Sequence, residues 1–121
     1  MHGTIPRKQP RQARSLAMVE AILDATARIL IRDGREAANT NMIALEAGIS
    51  IGSLYQYFAN RDAIIAALVD RHGHRIHGVV TEAMCPPPAT LEEAVRRIVG
   101  AVFAAHRIDP GLHDALDHDF R

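Results

Sequence analysis

Hydroxyl, amide and guanidinium side chains are concentrated in the segment ISIGSLYQYFANRD, residues 49–62. It holds Tyr55, Tyr57 and Phe58 in a chain that is otherwise poor in aromatic residues. Serine and tyrosine hydroxyls donate hydrogen bonds to phosphate oxygens without the desolvation cost of a charged group. A merely solvated helix face would carry lysine and glutamate, and residues 49–60 contain neither. The pattern therefore favours a ligand that presents many acceptor oxygens.

A nucleic-acid duplex accounts for the remaining residues of this segment. Gly52 allows a backbone to approach closely, Gln56 can read adenine through paired hydrogen bonds, and Ile51 can contact a thymine methyl group. Arg61 adds positive charge in the first turn of a following helix, where free backbone N–H groups already favour an anion. We therefore predict that this segment contacts duplex DNA.

Short helices must position these side chains. Asn39 or Thr40 can cap a second helix that Gly48 ends, and Ser50 can cap a third only a few residues later. Such a tight turn requires the two helices to cross steeply, which predicts a helix-turn-helix, although an ordinary helical hairpin has the same spacing. Leu54 and Phe58 are expected to face inward from the third helix, as are three residues of the second: Ile43, Ala44 and Ala47.

Longer helices are predicted on either side. The first runs from about Ser15 to Gly34 and buries Met18, Ile22, Leu23, Ala27, Leu30 and Ile31. The fourth begins after Asn60 and runs to about Met84, with the apolar stripe Ile64, Ile65, Leu68, Val69, Ile76 and Val80. The segment CPPPA then breaks the chain.

Beyond that break, Thr90 and Glu93 form a capping box for a fifth helix. Its apolar stripe is Leu91, Ala94, Val95, Ile98, Val102 and Phe103. Asp109 and Pro110 indicate a further helix start.

Composition supports an all-α fold. The 121 residues suit one domain, 48% are apolar, and alanine, leucine and arginine outweigh the residues that favour strands. Formal charge is zero, but residues 1–13 form a basic arm, predicted to be flexible, that precedes a mildly acidic body. That arm could meet nucleic acid, an anionic membrane surface or only solvent. A lone Cys85 and no apolar run long enough to span a membrane lead us to expect a cytoplasmic protein.

Two motifs identify a family. The segments ILDATARILIRDG and IALEAGISIGSLYQYFANRDAII closely resemble the DNA-binding domain of the TetR family of bacterial transcriptional regulators, over about Arg11 to Arg71. The resemblance implies an N-terminal three-helix DNA-binding domain (residues 14–60), then a long linking helix and the start of a helical ligand and dimerisation domain (61–121). It also implies an operator of double-stranded DNA, a homodimer, repression released by a small-molecule inducer, and no cofactor.

The resemblance assigns roles to individual residues. Ile51, Gly52 and Gln56 match positions that approach bases, while Thr40 and Asn41 lie near phosphate or a groove edge. Phosphate-binding positions are matched by Ser53, Tyr55, Tyr57 and Arg61, beside the capping Ser50. The basic residues in the arm and directly after it resemble extensions that follow the minor groove or add nonspecific attraction: Arg7, Lys8, Arg11 and Arg14.

Two features depart from the family pattern. The run NTNMIA places Met42 where many members carry a charged residue, so the family pattern does not predict base preference at that edge. Family members usually reach about 200 residues, so we expect a truncated chain whose inducer pocket and dimer interface are incomplete.

Other functions have weaker support. Histidines at His72, His74, His77, His106, His113 and His118, with Asp117, permit chelation, but histidines on polar helix faces are usually solvated, and we predict no metal site. No catalytic constellation accompanies Cys85 or the serines, so we predict no enzyme. The alternative is a truncated protein-interaction module that pairs with a full-length relative or with a second copy, or else a nonfunctional fragment. The apolar residues left uncovered for such pairing would be Leu68, Val69, Val80, Val95, Ile98 and Val102.

Overall fold

The computed structural model describes residues 8–107 and 110–119 and is all-α throughout that part of the chain. Within it, a short 3-10 turn (Arg35–Ala37) accompanies six α-helices: α1 (Lys8–Asp33), α2 (Thr40–Ala47), α3 (Ile51–Tyr57), α4 (Arg61–Ala83), α5 (Leu91–Arg107) and α6 (Pro110–Asp119). None of these described helices is long and apolar enough to cross a membrane. The chain forms two compact units that divide between Ile65 and Ala66. The predicted fold class is confirmed.

The first helix starts earlier than the sequence suggested. We expected a flexible arm over residues 1–13, but α1 already begins at Lys8. Pro10 is compatible with this start because its missing N–H falls in the first turn, where backbone donors have no intrahelical partner. Residues 1–7 lie outside the described part of the chain, and the prediction for Arg7 lies there with them.

The first unit has a core built on α1. This helix packs against α2, and α2 packs against α3. Ile31 was expected in the core but is 49% exposed, because it follows Ile29 and Leu30 around the helix onto the outer side. The buried side chains of the first unit include Ile22, Leu23, Ala27, Ile29, Leu30, Ile43, Ala44, Leu54, Ile64 and Ile65.

Ion pairs join α1 to α2 at the surface. The Arg32 guanidinium donates to Glu46 at 2.8 Å, and the Arg28 guanidinium donates to the same carboxylate at 3.3 Å. Hydrogen bonds from Arg32 and then Arg28 hold the pKa of Glu46 below the usual glutamate value. This carboxylate therefore helps to fix the helix that precedes the turn.

Local capping signals set the helix ends as predicted. The Asn39 side chain accepts a hydrogen bond from Met42 N at 2.9 Å, and the Asn60 side chain accepts one from Ala63 N at 2.8 Å. Gly34 ends α1 with φ of 89°, and its N–H donates to the carbonyl groups of Ile29 and Leu30.

In the second unit, α5 packs against α6. The Thr90 hydroxyl accepts from Glu93 N at 3.1 Å, and the Glu93 carboxylate accepts from Ala89 N at 3.2 Å. Arg97 donates to Glu93 at 2.6 Å and to the carbonyl oxygen of Pro86. The predicted Thr90 cap is confirmed, but the Glu93 carboxylate accepts from Ala89 N and not from Thr90 N, so the capping box is incomplete. Arg97 ties the helix to the proline-rich segment before it. The side chains buried in the second unit include Leu68, His72, Ala101, Ala105, Leu112 and Leu116.

The apolar stripe of α5 faces outward. Val95, Ile98 and Val102 are between 46% and 52% exposed, and Val69 on α4 is 40% exposed. Leu68, which we had grouped with these uncovered residues, is instead 0% exposed. The uncovered apolar surface that the sequence suggested is therefore carried mainly by α5.

Candidate nucleic-acid interface

A glycine in the left-handed conformation separates α2 from α3. Gly48 has φ of 75° and ψ of 31°, a region that residues with a side chain seldom adopt, and its N–H donates to the carbonyl groups of Ala44 and Leu45. Ile49 N also donates to the Ala44 carbonyl group, at 3.0 Å. The chain therefore changes direction within a few residues and reaches the N-cap of α3 at Ser50.

Two serines organise the first turn of α3. The Ser50 hydroxyl accepts a hydrogen bond from Ser53 N at 3.1 Å and lies 2.9 Å from the Ser53 hydroxyl, to which it donates. The Ser53 hydroxyl proton is then available to an outside acceptor. The predicted cap is confirmed, and it holds both hydroxyls at the end of the helix where backbone N–H groups favour an anion.

Leu54 faces the core from α3, as predicted, and is 0% exposed. Tyr55 is 49% exposed and Ile51 is 37% exposed. Gly52 and Gln56 are exposed as well, and Tyr57 is half-buried. The outward side of this helix therefore carries uncharged polar groups beside one apolar side chain.

Phe58 differs from its predicted position. We expected it in the core one helical turn after Leu54, but the helix ends at Tyr57 and Phe58 has an extended backbone with φ of −137°. It is half-buried. Because Phe58 lies beyond the last helical residue, helical spacing does not direct its side chain.

A hydrogen bond between α2 and α3 was not anticipated. The hydroxyl groups of Thr40 and Tyr55 lie 3.0 Å apart, joining residues fifteen positions apart in the chain. Thr40 is half-buried and Asn41, beside it, is exposed. The start of α2 thus lies next to the outward side of α3. No local sequence signal predicts this pair, since it depends on how the two helices cross.

Arg61 has a structural partner within its own unit. Its guanidinium donates to the carbonyl oxygen of Arg35 at 2.6 Å, which links the first residue of α4 to the 3-10 turn. A guanidinium carries five N–H donors, so this bond does not exhaust its capacity. Sequence reasoning assigned Arg61 to a phosphate and missed this structural bond.

The basic residues near the N-terminus lie on α1 where they are described. Arg11 and Arg14 are exposed and three residues apart, so their side chains lie on neighbouring parts of one helix face. Lys8 is the first residue of the same helix. These positive charges are therefore carried on a helix and not on an extended arm.

Two histidine rings lie close together in the second unit. His72 is 7% exposed, and its Nε2 lies 3.2 Å from Nδ1 of His113. Among the side chains that the structure describes, no group of three or more histidine, cysteine, aspartate or glutamate residues could hold a metal ion. The side chains of His106, Asp117 and His118 lie outside that description.

Fold and site together define a helix-turn-helix protein. Residues 22–68 match the family profile of the bacterial regulatory proteins of the tetR family. The chain is 28% identical over 99 residues to the HTH-type transcriptional repressor KstR of Rhodococcus jostii, covering 82% of this chain and 45% of that protein. It is 37% identical over 87 residues to the HTH-type transcriptional regulator PksA of Bacillus subtilis, covering 69% of this chain and 42% of that protein.

Solved structures share the fold. A TetR family transcription regulator from Marinobacter aquaeolei superposes with a TM-score of 0.75 at 23% identity, over 88% of this chain and 55% of that one. The chain belongs to the TetR family of bacterial regulatory proteins. It spans about half the length of the curated relatives it matches.

Proposed function

We propose that this chain is a transcriptional regulator that binds duplex DNA in a sequence-specific manner, and that it acts as a repressor. The observation that carries the proposal is the outward side of α3, where uncharged donors stand beside a helix start held by Ser50 and Ser53. Relatives named as transcriptional repressors and regulators support it.

Base recognition falls to three exposed residues of α3, Ile51, Gly52 and Gln56. Gln56 is exposed and has the paired donor and acceptor that an adenine edge requires. Ile51 would contact a thymine methyl group, and Gly52 would let the phosphate backbone approach the helix closely.

Phosphate contacts would surround these base contacts. The candidate hydroxyl donors are Thr40, Ser53, Tyr55 and Tyr57, with Asn41 at the groove edge. The bond between Thr40 and Tyr55 fixes both hydroxyls before DNA arrives, which lowers the ordering cost of binding. Arg61 would add charge while it remains bonded to Arg35, and Arg11 and Arg14 would add nonspecific attraction.

Repression would follow from occupying promoter DNA and excluding polymerase. In this proposal the protein acts in the cytoplasm, where bacterial promoters lie. A small-molecule inducer and a homodimer are parts of the proposal that rest on the family resemblance alone. A single helix-turn-helix buries limited surface, so two linked copies would bind DNA far more tightly than one.

Selection of binding sites from a random duplex pool, followed by titration of the selected duplex at several salt concentrations, tests this function. We expect an enriched motif and an affinity that falls steeply with salt, with a slope of about −0.9 per phosphate contact. Gln56→Ala should relax base preference at one position of the motif, at a cost of about 1–3 kcal/mol in discrimination. No enriched sequence and no binding at low salt would refute the proposal.

A matched pair of arginine variants shows whether DNA affinity depends on contacts at the proposed interface or only on the net charge of the chain. Arg14→Gln should reduce both affinity and the salt slope by about one contact, because it removes a cation from the proposed interface. Arg75→Gln removes the same charge from an exposed residue of the second unit and should leave the slope unchanged. Equal effects would mean that only net charge matters.

The alternative function is a protein-interaction module, which the exposed apolar side of α5 favours. The response of binding to salt distinguishes the two functions. Apolar association is insensitive to moderate salt or strengthened by it, whereas binding through phosphate contacts is weakened.

A further inference from the structure

The carbonyl oxygen of Arg35 accepts two hydrogen bonds from different parts of the first unit. The Arg61 guanidinium donates to it at 2.6 Å from the start of α4, and Ala38 N donates to it at 3.1 Å from the end of the 3-10 turn. Hydrogen bonds from a charged donor are about twice as strong as those from a neutral one. Arg61 is therefore the stronger of the two donors that hold this carbonyl group.

The start of α4 is a firm support for Arg61. The Asn60 side chain caps this helix by accepting from Ala63 N at 2.8 Å, and Ile64 and Ile65 are 0% and 7% exposed. The 3-10 turn, by contrast, has no buried residue of its own. Because buried side chains anchor the helix start and the turn has none, the bond from Arg61 restrains the turn more than it restrains the helix.

The 3-10 turn leads directly into the start of α2. Ala38 follows the turn and is 0% exposed, and Asn39 is the N-cap of α2. Thr40 comes next, and its hydroxyl group lies 3.0 Å from that of Tyr55 on α3. A shift of the Arg35 carbonyl group would therefore be passed through this short segment to Thr40 and would disturb its bond to Tyr55.

We propose that Arg61 is a positioning residue for DNA binding, which acts through the Arg35 carbonyl group to hold the start of α2 where the Thr40 and Tyr55 hydroxyls meet. The proposal rests on the proposed function and gives this side chain a second role. A phosphate contact uses only the charge of the guanidinium, whereas positioning uses its bond to a neutral carbonyl group. The two roles respond differently to salt and to a distant substitution.

Titration of the 121-residue chain with a duplex selected from the random pool, at several salt concentrations, measures both roles. If Arg61 made only a phosphate contact, Arg61→Gln would lower the salt slope by about 0.9 and would match the parent affinity on extrapolation to about 1 M salt, where the Debye length is about 3 Å. Positioning predicts an additional loss of roughly 3- to 10-fold that persists there. Arg14→Gln is the matched control, because Arg14 is an exposed arginine whose proposed role is charge alone, and its loss should vanish at about 1 M salt.

Coupling to Tyr55 tests the path from Arg61 to the DNA-binding surface. In the parent chain and in Arg14→Gln, Tyr55→Phe should weaken DNA binding by roughly 3- to 10-fold. In Arg61→Gln the same substitution should weaken binding by less than about 2-fold, because the two hydroxyls have already lost their alignment. Additive effects of Arg61→Gln and Tyr55→Phe, or a loss in Arg61→Gln that vanishes at high salt, would overturn the proposal.

Amide hydrogen exchange without DNA tests the positioning separately from the proposed function. In Arg61→Gln the amides of Ala38 and Met42, which donate to the Arg35 carbonyl group and to the Asn39 side chain, should exchange roughly 10-fold faster. Amides in the middle of α1 should exchange at the parent rate, and circular dichroism checks that the variant stays helical.

Two exchange results would contradict a positioning role for Arg61. Equal acceleration of all protected amides would mean that the side chain adds only global stability, and unchanged exchange at Ala38 and Met42 would mean that its bond does not restrain the turn. If the parent chain binds DNA, either result overturns the proposal for Arg61 alone. A parent chain that binds no duplex would instead refute the proposed function, and with it the role of Arg61 in DNA binding.

Discussion

The outward sides of α3 and α5 differ in chemistry although both are exposed helix surfaces. The outward side of α3 presents hydroxyl and amide groups that form hydrogen bonds with water. Leaving this side without a ligand therefore costs little free energy. The outward side of α5 presents six exposed apolar side chains, with which water forms no hydrogen bonds: Leu91, Val95, Ile98, Val99, Val102 and Phe103. A polar face that is already ordered is suited to reversible recognition of a polar ligand, whereas an apolar face gains stability only when a partner covers it.

The two helices are also held differently. Capping and a side-chain hydrogen bond to α2 fix α3, through Ser50, Thr40 and Tyr55. The Thr90 cap and Arg97 fix α5 from its inner side and its N-terminal end. The contacts that hold α5 leave its outward surface unused, whereas Tyr55 belongs both to the bond with α2 and to the outward surface of α3.

The largest expected effect comes from the core beneath α3. Leu54→Ala should lower the free energy of unfolding by about 3 kcal/mol, because Leu54 is 0% exposed and the substitution leaves a cavity. Leu45→Ala is the control on the neighbouring helix. Leu45 is 73% exposed, so its loss should change stability by less than about 0.5 kcal/mol. Urea unfolding measures both, and similar values would contradict the orientation described for α2 and α3.

Loss of a helix cap should lower the free energy of unfolding by the same amount in either unit. Ser50→Ala and Thr90→Ala each remove a side-chain acceptor for a backbone N–H, and each should cost about 1 kcal/mol of stability. Only Ser50→Ala should also weaken DNA binding. Urea unfolding and a DNA titration of both variants provide the comparison. A loss of DNA affinity in Thr90→Ala would contradict the prediction that only the α3 cap affects DNA binding.

The bond between Thr40 and Tyr55 should affect binding more than folding. Tyr55→Phe should weaken DNA binding by roughly 3- to 10-fold while it lowers stability by less than about 1 kcal/mol, because the pair is exposed. Thr40→Val and the double variant complete a double-mutant cycle. Additive effects of the two substitutions on DNA affinity would mean that the bond does not preorganise the surface.

The smallest effect is expected at the ion pairs between α1 and α2. Since the pKa of Glu46 is depressed by Arg32 and Arg28, its contribution is present above the ordinary glutamate pKa and is lost as pH falls through the depressed value. Glu46→Gln should therefore lose less stability on acidification than the parent chain. Glu36→Gln, at an exposed residue of the 3-10 turn, should follow the parent, and acid unfolding by circular dichroism measures all three.

Local signals in the sequence predicted the helix-turn-helix well. Asn39, Gly48, Ser50 and Asn60 each act within a few residues of their own position, so the helix ends they set can be predicted without knowing the fold. Where such a signal gave no firm boundary, the predictions missed. Lys8 starts α1 well before Ser15, and Phe58 lies just beyond the end of α3.

Periodicity was less informative about what each apolar stripe faces. Ile31 was expected inside and is exposed, and Leu68 was grouped with uncovered residues and is buried. A stripe shows that one side of a helix is apolar. Whether another element covers that side depends on packing that involves residues far away in the chain.

The sequence by itself determined the all-α class, the capped helices, the tight turn at Gly48 and the uncharged polar surface of α3, because these depend on side-chain chemistry and on hydrogen bonds between near neighbours. Only the tertiary structure decided that Thr40 meets Tyr55, that Arg61 bonds to the Arg35 carbonyl group, and that α5 is bare on its outward side. Those contacts depend on how helices cross, and crossing is set by the packing of whole surfaces.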